Sequence, residues 1–370
     1  MKQLHILHVY KDYFPILGGI ENHLKSLAEA QVAAGHEVTV VVSNPAKLPA
    51  IENMNGVRLI RASRLATVAS TPLSLSLPLL LAKQTPDITH LHFPYPLGEV
   101  SQLLVGRKRP FLISYHSDIV KQQAILRFYN PLLRRVLNRA AHLIIGSDRY
   151  IQTSPYLQPH AQKCSVIPYA VDTERFQPNL APLFPPVTQL TFIFVGRHRH
   201  YKGVNVLIRA MSALRARLLV AGDGPLRHEW EQLAADLGVN KKVQFVGNIN
   251  DEHLPNFYAS GDLFVLPAVN RAEAFGLVLQ EAMASGLPCV TSELGTGTSF
   301  LVRDGESGFV VPPNDVEALT AVLQTLISNS TLRQQMGQAG RRRALTEFQL
   351  RQTVGRITAV YHTILNDFRL

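Results

Sequence analysis

Two glutamates at the ends of one short segment carry the strongest chemical signal in the sequence. Glu273 opens the segment EAFGLVLQE and Glu281 closes it. Gly276 is the expected entry to a helix, and Gly286 with Pro288 is expected to end it, because glycine terminates helices and proline cannot continue them. Glu273 therefore precedes the helix and Glu281 lies on it, so we expect the two carboxylates to have different roles.

The start of this helix could bind an anion. Backbone N–H groups near Phe275, Gly276 and Leu277, with the positive end of the helix dipole, would stabilise negative charge on a leaving phosphate. Glu273 could contact a sugar hydroxyl or the positive charge that develops at an anomeric carbon, and Glu281 could accept hydrogen bonds from a ribose diol. Spacing alone leaves a second interpretation open, in which Glu281 is a surface helix residue and Glu273 only complements the helix dipole.

A basic segment follows a strand in the same half of the chain. It reads VGRHRHYKG over 195–203, and five of its nine residues can be cationic. Ligands of doubly wound sheets bind at the carboxyl ends of the strands, where Arg197 and Lys202 would offer a planar fork and a point charge to a diphosphate. The alternative is a solvated basic loop. Gly196 and Gly247, at two strand ends, would let a ligand approach the backbone, with a planar base against Gly247.

Near the N-terminus, a glycine pair follows the first apolar run. Gly18 and Gly19 come before a helical pattern that starts near Glu21, and such a turn can bring backbone N–H groups close to an anionic or sugar ligand. The alternative is plain loop geometry, because glycine is also the usual residue of tight strand-to-helix connections. No GxGxxG pattern with a following acidic residue is present, so the fingerprint of a dinucleotide site is missing.

These segments need a scaffold of parallel strands, and the sequence supplies two series of them. Short β-branched runs alternate with helical patterns, which is typical of parallel sheets. In the first half the expected strands are His5–Val9, Glu37–Val42, Val57–Arg61, Ile88–His92, Phe111–Tyr115 and Leu143–Gly146. In the second half they are Leu190–Gly196, Arg217–Gly222, Val243–Gly247, Leu263–Pro267, Pro288–Ser292 and Gly308–Val311. The expected fold class is α/β, with two Rossmann-like parallel-sheet domains that face each other.

A proline-rich stretch separates the two series. Residues 179–189 form the expected linker, since neither a helix nor a sheet interior tolerates several prolines well. We therefore expect an N-terminal domain over 1–178 and a C-terminal domain over 190–345. The tail has helical periodicity and no further strand, so its last helix, 346–370, is free to pack back onto the N-terminal domain.

Length and composition fit two globular domains and restrict the partners. The chain has 370 residues, 46% of them hydrophobic, and two cysteines, which suit a reducing compartment and cannot form a four-cysteine metal site. The formal net charge is +10, with +8 in residues 1–180, and this asymmetry favours phosphates, nucleic acid or an anionic membrane surface as partners. No apolar stretch reaches the ~20 residues of a bilayer crossing, so we expect a cytoplasmic protein.

Several segments, taken in order, resemble the signature segments of family 4 glycosyltransferases. They are GGIE at 18–21, GHEVTVV at 35–41, PDITHLH at 86–92, YHSD at 115–118, VIPYAVDTERFQP at 166–178, GRHRHYKG at 196–203, AGDGP at 221–225 and EAFGLVLQEAMASGLPCV at 273–290. The resemblance covers nearly the whole chain. It implies the GT-B fold, in which the active site lies in a cleft between the two domains, and transfer of a sugar from a nucleotide-sugar donor with retention of anomeric configuration.

The resemblance also implies roles for residues of the N-terminal domain. Gly19 would lie against the diphosphate and sugar of the donor. His116 would reach the transferred sugar. Its position in YHSD distinguishes it from His36, His90 and His92, which also stand at strand ends and would ordinarily be packed or solvated.

In the C-terminal domain, the resemblance implies that Arg197 and Lys202 hold the diphosphate. Glu273 would contact the sugar and Glu281 the ribose. No D-x-D triplet occurs in the chain, so a metal bridge to the diphosphate is not supplied and no cofactor is expected. The positive charge would come from the two basic residues and the helix amides. The resemblance favours same-face displacement, in which the donor phosphate helps to take the acceptor proton.

The sequence departs from the family pattern in two places that bear on the site. Tyr169 and Ala170 replace the usual Asn-Gly of the VIP segment, which would alter the acceptor side or the hinge. Residues 294–300, LGTGTSF, replace the usual Gly-Gly and following Glu after the helix that carries Glu281. Thr296 and Thr298 of this stretch could themselves donate hydrogen bonds to a phosphate.

The expected function is that of a metal-independent, retaining hexosyltransferase that uses GDP-mannose or a UDP-hexose in cell-surface polysaccharide synthesis. The acceptor would be a glycan or a polyprenyl-linked glycan. A nucleotide-sugar epimerase or hydrolase of the same fold is the first alternative, because a fold does not fix function. A basic nucleic-acid-binding protein is a remote alternative, since no RNA- or DNA-binding motif and no aromatic stacking platform occurs.

One expected helix bears on where the protein acts. Residues 121–139 alternate apolar positions with Arg127, Arg134, Arg135 and Arg139, as a basic amphipathic helix on anionic lipid does. An ordinary surface helix is the alternative. Because similar transferases often extend lipid-linked glycans, we expect peripheral contact with the inner face of the membrane.

Overall fold

The computed structural model describes residues 2–16, 18–45, 48–68, 71–106, 109–119 and 123–369. The chain forms two units. Unit 1 is Met1–Tyr169 together with Leu350–Leu370, and unit 2 is Ala170–Gln349. Each unit is built on its own β-sheet.

The sheet of unit 1 is mainly parallel. In chain order the strands of this unit are β1 (His5–Val9), β2 (Glu37–Ser43), β3 (Ile51–Met54), β4 (Val57–Ala62), β5 (Ala66–Val68), β6 (Thr71–Leu73), β7 (Ile88–Phe93), β8 (Phe111–Tyr115), β9 (His142–Ile145) and β10 (Cys164–Val166). Eight of them form one sheet in the order β10-β9-β8-β7-β1-β2-β4-β3, in which only β3 runs antiparallel to its neighbour. β5 and β6 form a separate hairpin. Strands β7 and β8 are buried throughout, so the polar side chains of β7, Thr89, His90 and His92, lie inside the unit.

Thirteen helices are present in the described part of the chain. They are α1 (Gly19–Ala33), α2 (Leu77–Ala82), α3 (Pro96–Val105), α4 (Gln123–Arg139), α5 (Asp148–Thr153), α6 (Val204–Ala210), α7 (Arg227–Asp236), α8 (Leu254–Tyr258), α9 (Leu277–Ala284), α10 (Gly297–Leu301), α11 (Val316–Ser328), α12 (Ser330–Glu347) and α13 (Leu350–Arg369). Within the described ranges, none of these helices combines the length and apolar character that a bilayer crossing requires.

Helices α1 and α13 pack together on the sheet of unit 1. Their shared core includes Leu27 of α1, Ile357 and Tyr361 of α13, and Ile6 and Ile88 of the central strands. Helices α2, α3 and α4 lie side by side. They occupy the opposite face of the sheet from α1, because the right-handed crossovers that contain them run across the sheet in the opposite direction from the β1-to-β2 crossover.

The sheet of unit 2 has six strands, and all of them are parallel. They are β11 (Leu190–Val195), β12 (Ala216–Ala221), β13 (Val243–Gly247), β14 (Leu263–Leu266), β15 (Cys289–Ser292) and β16 (Gly308–Val311). Their order is β13-β12-β11-β14-β15-β16. These are the six strands that the second half of the sequence predicted. In unit 1, the sequence missed β3, β5, β6 and β10, which are three or four residues long and lie at a sheet edge or in the hairpin.

The units divide the chain at different residues from those expected. Residues 170–178 and the expected linker, 179–189, both belong to unit 2. The linker is tied to this unit through its backbone, because the Leu183 N–H donates to the carbonyl oxygen of Asn256 (2.9 Å). The proline-rich composition predicted correctly that this stretch has no helix or strand, but it could not show which sheet the stretch follows.

Candidate active site

Two of the expected site residues form a buried ion pair in unit 2. The Nζ of Lys202 lies 2.6 Å from Oε2 of Glu273, and the two side chains are 11% and 9% exposed. Lys202 ends the turn after β11, and Glu273 lies in the loop between β14 and α9. Burial acts to lower the pKa of Lys202, but the charge of Glu273 and smaller contributions from neighbouring groups raise it above its ordinary value. The lysine is therefore a stable cation.

A glycine with no room for a side chain brings these two loops together. Gly203 follows Lys202 with a φ of +67°, and a Cβ there would lie 1.9 Å from the carbonyl oxygen of Pro267, just after β14. The Val269 N–H also donates to the Tyr201 carbonyl oxygen (2.9 Å). Since β11 and β14 are parallel neighbours, their ends share one edge of the sheet and the loops can meet there.

Glycines also join the ends of β11, β12 and β13. A Cβ on Gly222 would lie 2.1 Å from the carbonyl oxygen of Gly196, and the Gly222 N–H donates to the carbonyl oxygen of Gly247 (2.7 Å). Gly247 has a φ of +74°, which favours glycine. The backbone at Gly196 and Gly247 thus reaches the carboxyl edge of the sheet, and its contact with a ligand stays a prediction.

The basic segment after β11 carries less charge than its composition suggests. Arg197 is exposed, but His198 is fully buried against the rings of Trp230 and Phe245, with ring centroids 5.0 and 5.9 Å apart. Burial lowers the pKa of His198, so this imidazole is neutral at pH 7. The segment therefore does not provide five cations, because tertiary packing removes one of them from solvent.

Helix α9 starts where the sequence predicted. Its first residue is Leu277, and Gly276 precedes it with a φ of +87°. Phe275 is buried, and its ring and Cα would lie 2.4 and 2.6 Å from a Cβ placed on Gly297. Close packing against this glycine therefore fixes the backbone of residues 275–277, and the start of a helix is where backbone N–H groups can bind an anion.

The stretch that departs from the family pattern supports this loop. The Thr296 hydroxyl donates to the carbonyl oxygen of Glu273 (2.9 Å), and the Thr298 hydroxyl donates to that of Ser292 (3.0 Å). Both threonines are fully buried. Each hydroxyl proton is used on a backbone carbonyl here, so donation by these hydroxyls to a phosphate stays a prediction that requires them to change partner.

Glu281 lies on α9 and has a partner that the sequence did not reveal. The Tyr258 hydroxyl, from α8, donates to Oε2 of Glu281 (2.7 Å). Burial raises the pKa of Glu281 to about 7, although the Tyr258 hydroxyl and the charge of Arg175 act to lower it. Glu281 is therefore a carboxylate whose charge changes near neutral pH. Tyr258 stands in no motif, so no sequence signal could have found it.

In unit 1, a carboxylate occupies the expected glycine turn. Gly18 precedes α1, which starts at Gly19, and a Cβ on Gly18 would lie 2.3 Å from Oε2 of Glu21. The buried Glu21 complements the positive end of the helix dipole. Contact between these glycines and a diphosphate stays a prediction, and it requires this carboxylate to move.

His116 follows β8 in unit 1, and both of its ring nitrogens have hydrogen-bond partners. Its Nε2 lies 3.0 Å from Nδ1 of His92, and its Nδ1 bonds to the Tyr169 hydroxyl. Burial lowers the pKa of His116 well below its ordinary value, so the ring is neutral. Contact between His116 and a sugar stays a prediction. The structure adds that Tyr169, where the sequence departs from the family, is its direct neighbour.

Four more buried histidines lie near His116, namely His8, His23, His90 and His92. Among the described residues, His8 of β1 and His90 and His92 of β7 bring ring nitrogens within 4.8 Å of one another, a spacing compatible with a metal ion. All six of their ring nitrogens, however, form hydrogen bonds with protein groups. The sequence indicated only that His90 and His92 belong to one expected strand and would ordinarily be packed or solvated. It could not show that β1 adds His8 to them.

Family models match nearly the whole chain. The model described as Glycosyltransferase Family 4 matches residues 17–175, and the model described as Glycosyl transferases group 1 matches residues 177–343. The two matches meet near the boundary between the units.

Similar proteins extend over the full length. The chain is 32% identical to O-antigen chain mannosyltransferase C of Escherichia coli, over 98% of this chain and 100% of the relative. It is also 32% identical to D-rhamnosyltransferase WbpZ of Pseudomonas aeruginosa, over 90% and 89% of the two chains. The solved structure of sucrose-phosphate synthase from Thermosynechococcus elongatus superposes with a TM-score of 0.82 at 24% identity, over 99% of this chain and 100% of that one. The chain therefore belongs to glycosyltransferase family 4, and it is a hexosyltransferase with the GT-B fold.

Proposed function

We propose that this enzyme transfers a manno-configured hexose from a nucleoside diphosphate to a glycan acceptor, with retention of configuration and without a metal ion. The observation that carries the proposal is the buried Lys202–Glu273 ion pair, which places a cation and a carboxylate at the carboxyl edge of the unit 2 sheet. A diphosphate leaving group needs the cation, and the positive charge that develops at an anomeric carbon needs the carboxylate. The proposed setting is cell-surface polysaccharide synthesis, in line with the name of the O-antigen relative.

Unit 2 is the proposed donor-binding unit. Lys202, Arg197 and the N–H groups of residues 275–277 bind the diphosphate. Glu281 accepts hydrogen bonds from the ribose diol, and the base lies against the backbone at Gly247. These roles are supported by the position of every one of these groups at or after the carboxyl end of a parallel strand, where doubly wound sheets bind ligands.

Unit 1 is the proposed acceptor-binding unit. His116 contacts the transferred sugar, and the Gly18–Gly19 turn approaches the donor diphosphate once the Glu21 carboxylate has moved aside. The acceptor is a glycan, free or attached to a polyprenyl lipid. The support for these assignments is the position of His116 and the glycine pair after β8 and β1, at the carboxyl edge of the unit 1 sheet.

The proposed chemistry is a same-face displacement. The bond between the anomeric carbon and the donor phosphate oxygen breaks, and the acceptor oxygen bonds to that carbon on the same face. The acceptor hydroxyl proton passes to the departing phosphate oxygen. Lys202 and the helix amides stabilise the negative charge on the phosphate, while Glu273 stabilises the positive charge on the sugar. Because the sequence has no D-x-D triplet, the protein's own cations supply this charge.

The names of the relatives support a manno-configured sugar. One relative is a mannosyltransferase and the other is a D-rhamnosyltransferase. D-Rhamnose is 6-deoxy-mannose, so the two sugars share the configuration of the ring carbons. We therefore place mannose first among the donor sugars, with GDP or UDP as the nucleotide.

A donor screen followed by a transfer assay tests the proposal. The purified protein is heated with GDP-mannose, GDP-rhamnose, UDP-glucose and UDP-galactose in turn, because a ligand that binds the folded state raises the apparent melting temperature. The donor with the largest shift is then incubated with a glycan acceptor in EDTA, and NMR identifies the new linkage. We expect GDP-mannose to give an α-linked product. Release or epimerisation of the sugar without acceptor would instead indicate the hydrolase or epimerase alternative, and an inverted product would contradict retention.

The pKa of Glu281 predicts that donor binding depends on pH. A ribose diol donates hydrogen bonds to the ionised carboxylate, so protonation of Glu281 below its pKa of about 7 weakens binding. We expect the donor dissociation constant, measured by calorimetry, to be roughly tenfold larger at pH 6 than at pH 8. The Glu281→Gln variant should bind weakly and without this dependence. A pH dependence that persists in the variant would belong to another group.

Contact with an anionic membrane is the second part of the proposal. Helix α4 buries Leu133, Val136 and Leu137 and exposes Arg134 and Arg135. The side chains of Ile125 and Phe128, two of the apolar positions expected on this helix, lie outside the described residues. On the neighbouring helices α2 and α3, Leu79 and Leu104 are exposed, as are Leu65, Val68, Leu73 and Leu75 in and around the hairpin. One layer of unit 1 therefore presents basic and apolar side chains together, which is the pattern of surfaces that bind anionic lipid.

Vesicle co-sedimentation tests this contact. We expect the protein to sediment with phosphatidylglycerol vesicles at low salt, and not with phosphatidylcholine vesicles, because each exposed basic residue contributes roughly 1 kcal/mol to binding an anionic surface. The Arg134→Glu/Arg135→Glu variant should stay in the supernatant. The matched control is Arg351→Glu/Arg356→Glu, which makes the same charge change at exposed positions of α13. Equal loss of vesicle binding in both variants would show that net charge, and not the surface of α4, accounts for the binding.

A further inference from the structure

A continuous chain of hydrogen bonds runs through the buried polar cluster of unit 1. It links Tyr361 on α13, Gln31 on α1, His8 on β1, His92 on β7 and His116 after β8. The distances between the bonded atoms are 3.0, 2.7, 3.0 and 3.0 Å in that order. The four members before His116 are fully buried, so bulk water cannot replace their partners.

The amide of Gln31 gives this chain a direction. The amide nitrogen donates to the Tyr361 hydroxyl. The amide oxygen can only accept, so in its hydrogen bond with Nε2 of His8 the proton is on the histidine nitrogen. A neutral imidazole has one donor and one acceptor nitrogen. Nδ1 of His8 therefore accepts from Nε2 of His92, and Nδ1 of His92 accepts from Nε2 of His116. His116 is thereby held as the tautomer that is protonated on Nε2.

Burial keeps the chain neutral. It lowers the pKa of His8 to about 4 and the pKa values of His92 and His116 well below their ordinary value. A protonated imidazole has two donors and no acceptor, so it would break the chain at its own position. With all three rings neutral, the chain ends at Nδ1 of His116, which accepts from the Tyr169 hydroxyl.

We propose that His92 and His8 are positioning residues, which hold His116 so that its Nδ1 accepts a hydrogen bond from a hydroxyl of the transferred sugar in place of the Tyr169 hydroxyl. The inference rests on the proposed contact between His116 and the sugar. It specifies which ring nitrogen of His116 binds the sugar hydroxyl, whether that nitrogen is protonated, and which residues determine both. The opposite tautomer would present an N–H group at this position.

His90 provides a matched control on the same strand. It is as fully buried as His92, and its ring nitrogens bond to the hydroxyls of Tyr361 and Ser114, at 2.7 Å each, and not to His116. Replacing either histidine by leucine removes one buried imidazole and two hydrogen bonds. The change at His92 removes the acceptor of His116, whereas the change at His90 leaves every hydrogen bond from Gln31 to His116 in place.

Steady-state kinetics separate a positioning role from a structural one. We expect His92→Leu to lower kcat about 10- to 100-fold relative to His90→Leu, with similar melting temperatures for the two variants. His92→Gln should restore kcat, because its amide oxygen can accept from His116 while its amide nitrogen donates to His8. Equal kcat values for His92→Leu and His90→Leu would overturn the proposal, as would a His92→Gln variant no better than His92→Leu.

A spectroscopic measurement decides the tautomer without any substrate. In protein labelled with ¹⁵N-histidine, the nitrogen chemical shifts report which ring nitrogen carries the proton, and His116→Asn assigns the signals. We expect Nε2 of His116 to be protonated at pH 7 in the wild type and in His90→Leu, and both tautomers to be populated in His92→Leu. A wild-type His116 protonated on Nδ1 overturns the inference, even if His92→Leu does not fold. Because this result needs no donor, it is independent of whether the proposed transfer reaction is found.

Tyr169 supplies a further test on the substrate side. Its hydroxyl donates to Nδ1 of His116, the nitrogen that we propose accepts from the sugar hydroxyl. Tyr169→Phe removes this competing donor, so we expect the KM for the donor to fall or stay constant while kcat is kept. A loss of kcat as large as that of His92→Leu would show that the phenol itself, and not the freed Nδ1, acts on the sugar.

Discussion

Replacing Glu273 by glutamine is expected to lower kcat by at least about 100-fold while the donor still binds. The carboxylate carries a full negative charge in a site from which water is largely excluded, and the amide keeps its shape without the charge. Stabilisation of the positive charge at the anomeric carbon is therefore lost only in the transition state. Donor binding persists because Lys202, now free of its ion-pair partner, can direct its whole charge to the diphosphate.

Measurement of kcat together with the donor dissociation constant tests this expectation. Glu281→Gln is the matched comparison, since it makes the same chemical change on α9 and should weaken donor binding while kcat at saturating donor is largely kept. The two glutamates then differ in the constant that each one affects. Wild-type turnover in Glu273→Gln would show that Glu273 is not a catalytic residue. An equal loss of donor binding in both variants would show that the two carboxylates stabilise only the bound donor and not the transition state.

Replacing Lys202 by methionine is expected to affect both folding and donor binding. The change leaves the Glu273 carboxylate buried without its cation, and breaking a buried ion pair from one side costs about 3–5 kcal/mol of unfolding free energy. It also removes the central cation of the proposed diphosphate site, so we expect the donor dissociation constant to rise by roughly 100-fold. Urea unfolding and calorimetry measure the two effects separately.

The double variant Lys202→Met/Glu273→Gln separates charge from shape. It has no uncompensated carboxylate, so it should be more stable than Lys202→Met, while its donor affinity stays low. Arg199→Met, at an exposed cation of the same loop, is the control and should leave stability nearly unchanged. A double variant as unstable as Lys202→Met would mean that the packing of the lysine side chain, and not its charge, holds the loops.

The sequence by itself determined the fold class and placed Lys202 and Glu273 after two strands of the unit 2 sheet. All six strands of that unit were predicted, because their short, mainly apolar runs differ clearly from the helical patterns between them. Lys202 and Glu273 lie far apart in the sequence, yet each follows a strand of one parallel sheet. Since parallel strands end at a common edge, local motifs were enough to place both side chains at that edge, and the structure adds that they form an ion pair.

The short strands of unit 1 and the unit boundaries could not be predicted from the sequence. β3 and β10 owe their existence to pairing with one neighbour at a sheet edge, and their few residues carry no periodicity of their own. The proline-rich stretch indicated a break in regular structure but not its attachment to unit 2. Such attachments depend on backbone hydrogen bonds between segments far apart in the chain, as between Leu183 and Asn256.

Only the tertiary structure decided which polar side chains are buried and what they bond to. Thr296 and His198 lie in segments that the sequence indicated as ligand-binding loops, but packing buries both side chains. The chain of hydrogen bonds in unit 1 forms because β1, β7 and α1 pack beside α13. Gln31 thereby bonds to a tyrosine 330 positions later in the sequence. A motif specifies residue types at short spacing, whereas the proton position on His116 is set by partners that only the folded chain brings within 3 Å.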